Sequence, residues 1–113
     1  AMSLETYRTL GRSGLVVSTL ALGTMTFGPG RWNADDATAR AIFDAYLGAG
    51  GNFVDTADIY SGGESETVTG RFIRETGSRD TIVLASKFAF NASHSPLADT
   101  PRGRGNPNAG GAG

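Results

Sequence analysis

The spacing of hydrophobic residues changes several times along the chain, and each change predicts a new element. Two short extended runs at residues 7–10 and 15–18 flank the Gly/Ser-rich stretch 11–14, which is typical of a β-hairpin. A short apolar run at residues 19–25 precedes the loop Gly28-Pro29-Gly30 and predicts a first parallel strand. The chain is therefore expected to open with a hairpin and then a strand.

From Asn33 the apolar spacing becomes that of an amphipathic helix. Asn33 or Asp35 can cap its start by accepting backbone N–H bonds, and the glycines at 48, 50 and 51 can end it. This pattern predicts a helix packed on one face. Its predicted inward stripe is Ala39, Ile42, Phe43, Tyr46 and Leu47.

A second helix is predicted over residues 65–76. Glu64 and Glu66 suit its positive end, and Gly77 suits its end point. Gly70, inside the helix, costs about 1 kcal/mol against alanine, which suggests close packing on the sheet. The expected inward residues are Val68, Phe72 and Ile73.

Two further strands are predicted, at residues 52–57 and 81–88. The second is nearly all apolar, as a strand covered on both faces should be. Strand starts lie about 30 residues apart, the length expected of βαβ units, so the fold class is α/β with three parallel strands. Between residues 91 and 113 the only sizeable apolar side chain is Leu97, which predicts a mobile segment or a long active-site loop.

Composition excludes several classes of protein. The 113 residues suit at most one domain, and a net charge of -1 gives no electrostatic footprint for nucleic acid or an anionic membrane. No run approaches the roughly 20 apolar residues of a bilayer span, and the N-terminus lacks a secretory pattern. With no cysteine, any reaction must use carboxylate, phenol, amine, imidazole or a bound cofactor. A soluble, cytoplasmic protein is predicted.

Candidate chemistry lies where two predicted strands end. Asp55 and Tyr60 stand at the end of one strand, and Lys87 stands at the end of the next. Because neighbouring parallel strands are about 4.8 Å apart, these groups can meet. An ammonium group near a phenol stabilises phenolate and lowers the phenol's pKa from its usual value near 10, and a carboxylate can hold the ammonium. Such an acid suits proton transfer to a carbonyl that receives hydride from a cofactor.

Each of these residues also has a plainer interpretation. Asp55 could be a turn or cap residue, Tyr60 could pack its ring and expose its hydroxyl, and Lys87 could extend to solvent. His94, in a polar segment, is expected to be a solvated loop residue. No metal site is predicted, because the spacing of the acidic residues matches no known metal-binding loop.

Four motifs together resemble the aldo-keto reductase family, in its order and at its spacings. The branch it most resembles contains bacterial general-stress reductases and potassium-channel β subunits. The motifs are Asn52-Phe53-Val54-Asp55-Thr56-Ala57-Asp58-Ile59-Tyr60 followed by Gly63-Glu64-Ser65-Glu66 and Gly70; Leu10-Gly11-Arg12-Ser13-Gly14-Leu15-Val16-Val17-Ser18; Leu22-Gly23-Thr24-Met25-Thr26-Phe27-Gly28; and Ala85-Ser86-Lys87.

The resemblance implies a (β/α)8 TIM barrel that binds NADPH across its C-terminal mouth. Residues 1–113 would be the N-terminal part of this one barrel domain, supplying the hairpin that closes its bottom and about the first three βα units. The implied cofactor contacts are Gly23, Thr24, Met25 and Asp55.

The resemblance also implies roles for the side chains at the strand ends. Tyr60 would be the general acid, Lys87 would lower its pKa, and Asp55 would support Lys87. Trp32 and Tyr60 would contact substrate, although an exposed loop tryptophan is the alternative for Trp32. The family's catalytic histidine follows its fourth strand, which lies beyond these residues, and most of its cofactor phosphate contacts come from later loops.

The expected function is NADPH-dependent reduction of a small aldehyde or ketone to an alcohol, by a monomer or an oligomer. One alternative is a regulatory subunit that binds the cofactor as a redox sensor with little turnover. A second alternative is an inactive, truncated fragment.

Overall fold

A computed structural model describes residues 3–88 of the protein. The predicted loop at residues 91–113, with His94, lies outside this range. Within residues 3–88, neither helix combines the length and hydropathy needed to cross a membrane. The strands are β1 (Tyr7–Thr9), β2 (Val16–Ser18), β3 (Leu22–Gly23), β4 (Phe53–Asp55) and β5 (Val83–Ala85), and the α-helices are α1 (Asp36–Gly48) and α2 (Glu64–Thr76).

Strands β1 and β2 form the predicted antiparallel hairpin, which is tied to the segment before β4. Asn52 accepts a hydrogen bond from the backbone N–H of Ser18 at 2.7 Å and donates one to the carbonyl of Val16 at 3.0 Å. The hairpin therefore lies at the N-terminal end of β4, opposite the end that carries Asp55.

The other three strands form a parallel sheet in the order β3-β4-β5. Val54 in β4 lies opposite Leu22 of β3 on one side and Leu84 of β5 on the other. Helix α1 connects β3 to β4 and α2 connects β4 to β5, so the predicted alternation is confirmed. Because β4 is central, side chains at its C-terminal end have a neighbouring strand end on each side.

Asp35, one of the two predicted caps, is the N-cap of helix α1. The Asp35 carboxylate accepts a hydrogen bond from the backbone N–H of Thr38 at 2.7 Å. Asn33, the other predicted cap, directs its side-chain amide to the carbonyl of Gly28 and the hydroxyl of Ser61. Asn33 therefore fastens the loop before α1 and does not cap the helix.

The inward stripe of α1 is confirmed except at Ile42. Ala39, Phe43 and Tyr46 are buried, and Leu47 packs against the core. Ile42 is 43% exposed. At 3.6 residues per turn it lies about 60° around the helix from Ala39, at the edge of the stripe.

A cluster of aromatic rings forms the core between the helices and the sheet. Phe72 of α2 contacts Phe43 of α1, with ring centroids 5.6 Å apart, and meets Phe27 edge-on at 6.0 Å. Val68 and Ile73 are buried beside Phe72, as predicted for α2. The three rings pack both helices into one core with Val54 of the sheet.

One prediction about packing is wrong, and a second is not met within the described residues. Gly70 is exposed, and no atom lies within 4 Å of the position that a Cβ would take, so sheet packing does not require a glycine there. The prediction that the run at 81–88 is covered on both faces is not met within the described residues, where Leu84 is 38% exposed. Within the described residues β5 is an edge strand that pairs only with β4, and Thr81 belongs to a preceding 3₁₀ turn.

Candidate active site

Asp55, Tyr60 and Lys87 meet at the C-terminal edge of the parallel sheet. Asp55 ends β4 and lies opposite Ala85 of β5, two residues before Lys87. The Nζ atom of Lys87 lies 2.7 Å from Oδ2 of Asp55 and 3.4 Å from the hydroxyl oxygen of Tyr60. The structure thus brings together all three residues that the strand-end pattern selected.

The ammonium group of Lys87 has an acceptor for each of its three hydrogens. In addition to Asp55 and Tyr60, it donates to the backbone carbonyl of Thr56 at 2.8 Å. The hydrogen bond to Asp55 is the main cause that raises the pKa of Lys87 above its ordinary 10.5; desolvation opposes it, and the hydroxyl of Tyr60 adds to it. Lys87 is therefore a fixed cation at neutral pH.

A left-handed stretch of backbone follows Tyr60 and leads into α2. Ser61, Gly62 and Gly63 have φ angles of 51°, 64° and 97°. Glycine adopts such angles freely, whereas a side chain at positive φ is uncommon. The reversal leaves the Tyr60 ring next to Lys87, whose Nζ lies 5.1 Å from the ring centroid.

The three predicted cofactor residues around β3 differ in accessibility. Gly23 is exposed, and Met25 is 61% exposed. Thr24 is fully buried, its hydroxyl donates to the carbonyl of Asp55 at 3.1 Å, and the hydroxyl of Ser65 lies 3.1 Å away. A cofactor contact by the Thr24 side chain does not fit this burial, and the hydroxyl instead ties β3 to β4.

Trp32 stands on a loop that is fastened to the turn after Tyr60. It is 83% exposed, and the guanidinium of Arg31 lies 5.2 Å from its ring centroid. The side-chain amide of Asn33 donates to the hydroxyl of Ser61 at 2.7 Å, which holds this loop beside the residue that follows Tyr60. The substrate contact assigned to Trp32 stays a prediction.

Two residues of the first turn of α2 were missed as parts of the site. The hydroxyl of Ser65 is buried between Thr24 and Thr56, and the carboxylate of Glu66 accepts a hydrogen bond from Ser86. In the sequence both residues look like ordinary residues of a helix start. Their contacts depend on how α2 lies over the sheet, which no local pattern reveals.

Asp58 is a further residue that the sequence pattern did not single out. Its backbone N–H donates to the carbonyl of Lys87 at 3.1 Å, which joins the segment after β4 to the segment after β5. Its Oδ1 atom is buried, and within residues 3–88 it accepts no hydrogen bond. This backbone contact braces the loop between Asp55 and Tyr60.

The sequence pattern of the Aldo/keto reductase family matches residues 19–106, a span that includes Asp55, Tyr60 and Lys87. The chain belongs to the aldo/keto reductase family. The predicted resemblance is therefore confirmed.

Curated relatives of this aldo/keto reductase chain include fungal and bacterial proteins. A norsolorinic acid reductase of Emericella nidulans is 43% identical over 84 residues, covering 70% of the chain and 21% of the relative. The aldo-keto reductase YhdN of Bacillus subtilis is 34% identical over 92 residues, covering 80% of the chain and 28% of the relative. The match thus spans between 21% and 28% of the length of these relatives.

Solved aldo-keto reductase structures resemble the chain in the same partial way. One from Pseudomonas aeruginosa has a TM-score of 0.67 and 36% identity, covering 78% of the chain and 33% of that structure. The holo form of an aldo-keto reductase from Bacillus halodurans has a TM-score of 0.65 and 37% identity, covering 80% of the chain and 27% of that structure. The fold is that of a (β/α)8 barrel, of which the described residues supply the N-terminal hairpin and the first strands and helices.

Proposed function

We propose that this aldo/keto reductase chain supplies the proton donor for NADPH-dependent reduction of aldehydes or ketones to alcohols. The supporting observation is that one ammonium group, on Lys87, contacts both the carboxylate of Asp55 and the hydroxyl of Tyr60. When the carbon of a carbonyl receives hydride, its oxygen needs a proton, and a positioned side-chain acid can provide it.

The hydrogen-bond directions in the cluster leave Tyr60 free to donate. An ammonium group has no lone pair, so in the contact with Tyr60 the lysine donates and the phenol oxygen accepts. The hydroxyl hydrogen of Tyr60 is then available to the carbonyl oxygen of a substrate. After the transfer, the phenolate carries its charge 3.4 Å from the Lys87 ammonium, which stabilises it.

Asp55 keeps Lys87 charged and in place. Its carboxylate and the carbonyl of Thr56 take two of the three ammonium hydrogens, which leaves the third for Tyr60. A lysine without its proton could not stabilise a phenolate. Toward the proton transfer, Asp55 therefore acts through Lys87 as a positioning residue.

The residues around the cluster fit the nicotinamide end of NADPH. Gly23 is exposed and has open space where a Cβ would stand, the apolar side chain of Met25 is exposed, and Asp55 offers a carboxylate acceptor for a ribose hydroxyl. We assign the binding of that end to these three residues. When bound, NADPH supplies the hydride that no side chain can donate.

The proposed activity belongs to a complete barrel. Because the chain spans about a fifth of the length of its first curated relatives, we propose that residues 1–113 are the N-terminal part of one barrel domain. From the relatives named norsolorinic acid reductase we extend to this chain only the class of reaction. The proposed substrate is a small carbonyl compound.

A panel of aldehydes and ketones, assayed with NADPH and the full-length protein, tests the proposal. At least one carbonyl is expected to accelerate NADPH oxidation and to yield one alcohol for each NADPH consumed. NADPH binding is titrated in parallel, and NADH is run as the second cofactor. Tight NADPH binding without turnover on any carbonyl would contradict the proposal and favour the redox-sensing alternative.

A further inference from the structure

Two adjacent residues in the first turn of α2 contact the segments that follow all three parallel strands. Ser65 reaches Thr24 after β3 and Thr56 after β4, and Glu66 reaches Ser86 after β5. We propose that Ser65 and Glu66 are positioning residues that hold the strand ends in register, so that Lys87 stays in contact with Asp55 and Tyr60. This inference rests on the proposed function, because it assigns both residues to the same proton-donating cluster.

Ser65 lies at the centre of a buried hydroxyl network. Its side chain is fully buried, and its hydroxyl donates to the carbonyl of Thr24 at 2.6 Å. The hydroxyl of Thr56 lies 3.3 Å from it and can donate to it, while the hydroxyl of Thr24 donates to the carbonyl of Asp55. In this arrangement each of the three hydroxyl hydrogens has an acceptor, so the buried network is satisfied.

Through this network Ser65 acts on the backbone of the candidate site. The carbonyl of Asp55 receives both the backbone N–H of Thr24, at 3.0 Å, and the Thr24 hydroxyl, at 3.1 Å. Thr56, which touches Ser65 through its hydroxyl, gives its own carbonyl to the ammonium of Lys87. Displacing Ser65 would therefore displace two of the groups that orient the lysine.

Glu66 acts on Lys87 from the other side. The hydroxyl of Ser86 donates to Oε1 of Glu66 at 2.5 Å, a charge-assisted hydrogen bond. Ser86 immediately precedes Lys87, and both residues follow the end of β5 at Ala85. The contact to Glu66 therefore restrains the chain immediately before Lys87, beyond the last residue of β5.

The side chains of these two residues are directed at the sheet and not at their own helix. A serine or glutamate in a first helical turn ordinarily bonds to nearby backbone N–H groups. Neither Ser65 nor Glu66 makes such a bond within residues 3–88, and α2 has no side-chain cap. Both side chains instead form their hydrogen bonds with residues that follow the strands, which is the arrangement expected of positioning residues.

The first test is a double-mutant cycle between Glu66 and Ser86 in the full-length protein. E66A and S86A are each expected to lower kcat for carbonyl reduction about 10-fold, since small displacements of catalytic groups cost that much or more. The double variant should be no slower than either single variant. E66Q keeps an acceptor oxygen for Ser86 and should retain near-normal kcat. KM and NADPH binding should change little in all four variants.

Glu64 supplies the matched control. It carries the same charge in the same helical turn, and its carboxylate makes no hydrogen bond within residues 3–88. E64A should therefore keep its kcat, although it loses the same favourable interaction with the helix dipole. A fall in kcat for E64A as large as that for E66A would overturn the proposal, as would unchanged kcat in S86A or multiplied effects in the double variant.

S65A tests the other half of the network. Removal of the buried hydroxyl is expected to lower kcat about 10-fold or more, while T67A, which removes an exposed hydroxyl from the same helix, should not. If Y60F and K87M leave turnover intact, the proposed function itself fails. If Y60F and K87M abolish turnover while S65A, E66A and S86A match the unmodified protein, only the positioning role is overturned.

Discussion

The ammonium of Lys87 lies 2.7 Å from the carboxylate of Asp55, so two residues 32 positions apart in the chain form one ion pair at neighbouring strand ends. The pairing follows from topology, because parallel strands align their carboxyl ends. The ion pair also holds a positive charge, the Lys87 ammonium, beside the hydroxyl of Tyr60. An Asp, a Lys and a Tyr separated along the chain thereby become one chemical unit.

Substitution of Asp55 by asparagine is expected to shift the alkaline limb of the kcat profile to lower pH. The hydrogen bond to Asp55 raises the pKa of Lys87 above 10.5, so the stabilisation it gives is fully present below that pH and is lost as the pH rises through the raised value. Without the carboxylate, Lys87 loses its proton earlier, and kcat near neutral pH should also fall about 10-fold. If the alkaline limb of the variant's kcat profile lies at the same pH as that of the unmodified protein, Asp55 does not support Lys87.

Substitution of Gly51 by alanine is expected to destabilise the full-length protein by about 3 kcal/mol, because overpacking forces neighbours to move. A Cβ at Gly51 would lie 2.3 Å from the ring of Tyr46. The hydroxyl of that ring bonds to the backbone of Phe53 at both its N–H and its carbonyl, so the ring cannot move freely. Urea unfolding measures the loss, and unchanged stability would contradict this packing.

Gly70 is the matched control for Gly51. It lies in α2, is exposed, and has no atom within 4 Å of a Cβ position. Alanine there should stabilise the protein by about 0.5–1 kcal/mol through helix propensity. The same urea experiment checks this gain, and destabilisation at Gly70 would restore the packing role first predicted from the sequence.

Two substitutions of Ser61 should distinguish the stability cost of backbone strain from the loss of a hydrogen bond. Its φ of 51° is left-handed, and its hydroxyl donates to the carbonyl of Phe27 and accepts from Asn33. Glycine and alanine at this position both lose the hydroxyl, but only glycine relieves the strain. Ser61→Ala is therefore expected to be at least about 1 kcal/mol less stable than Ser61→Gly by denaturant unfolding. Equal stabilities would mean that no strain is stored there.

The elements that the sequence predicted correctly depend on local chemistry. The Gly/Ser turn of the hairpin, the cap at Asp35 and the left-handed end of α2 at Gly77 are short-range signals. The meeting of Asp55 with Lys87 needed only the assumption that the strands are parallel. These features could be predicted because each depends on a few neighbouring residues or on one rule of topology.

The sequence-based errors concern side chains whose burial and contacts are determined by tertiary packing. Whether Ile42 at the edge of a helical stripe is covered, or Leu84 on a strand face, depends on which elements lie next to it. The burial of Thr24 and the contacts of Ser65 and Glu66 depend on the position of α2 over the sheet. Location in the cytoplasm, oligomeric state and the preference for NADPH stay predictions.

The role of Tyr60 is the central claim, and Tyr60→Phe in the full-length protein tests it most directly. Only the hydroxyl beside Lys87 is removed, so kcat for carbonyl reduction should fall about 100-fold or more while the Kd for NADPH stays nearly unchanged. Tyr7→Phe is the control, because it removes a hydroxyl that bonds to Gly50 at the hairpin end. Unaltered turnover in Tyr60→Phe, with NADPH still bound, would contradict the account.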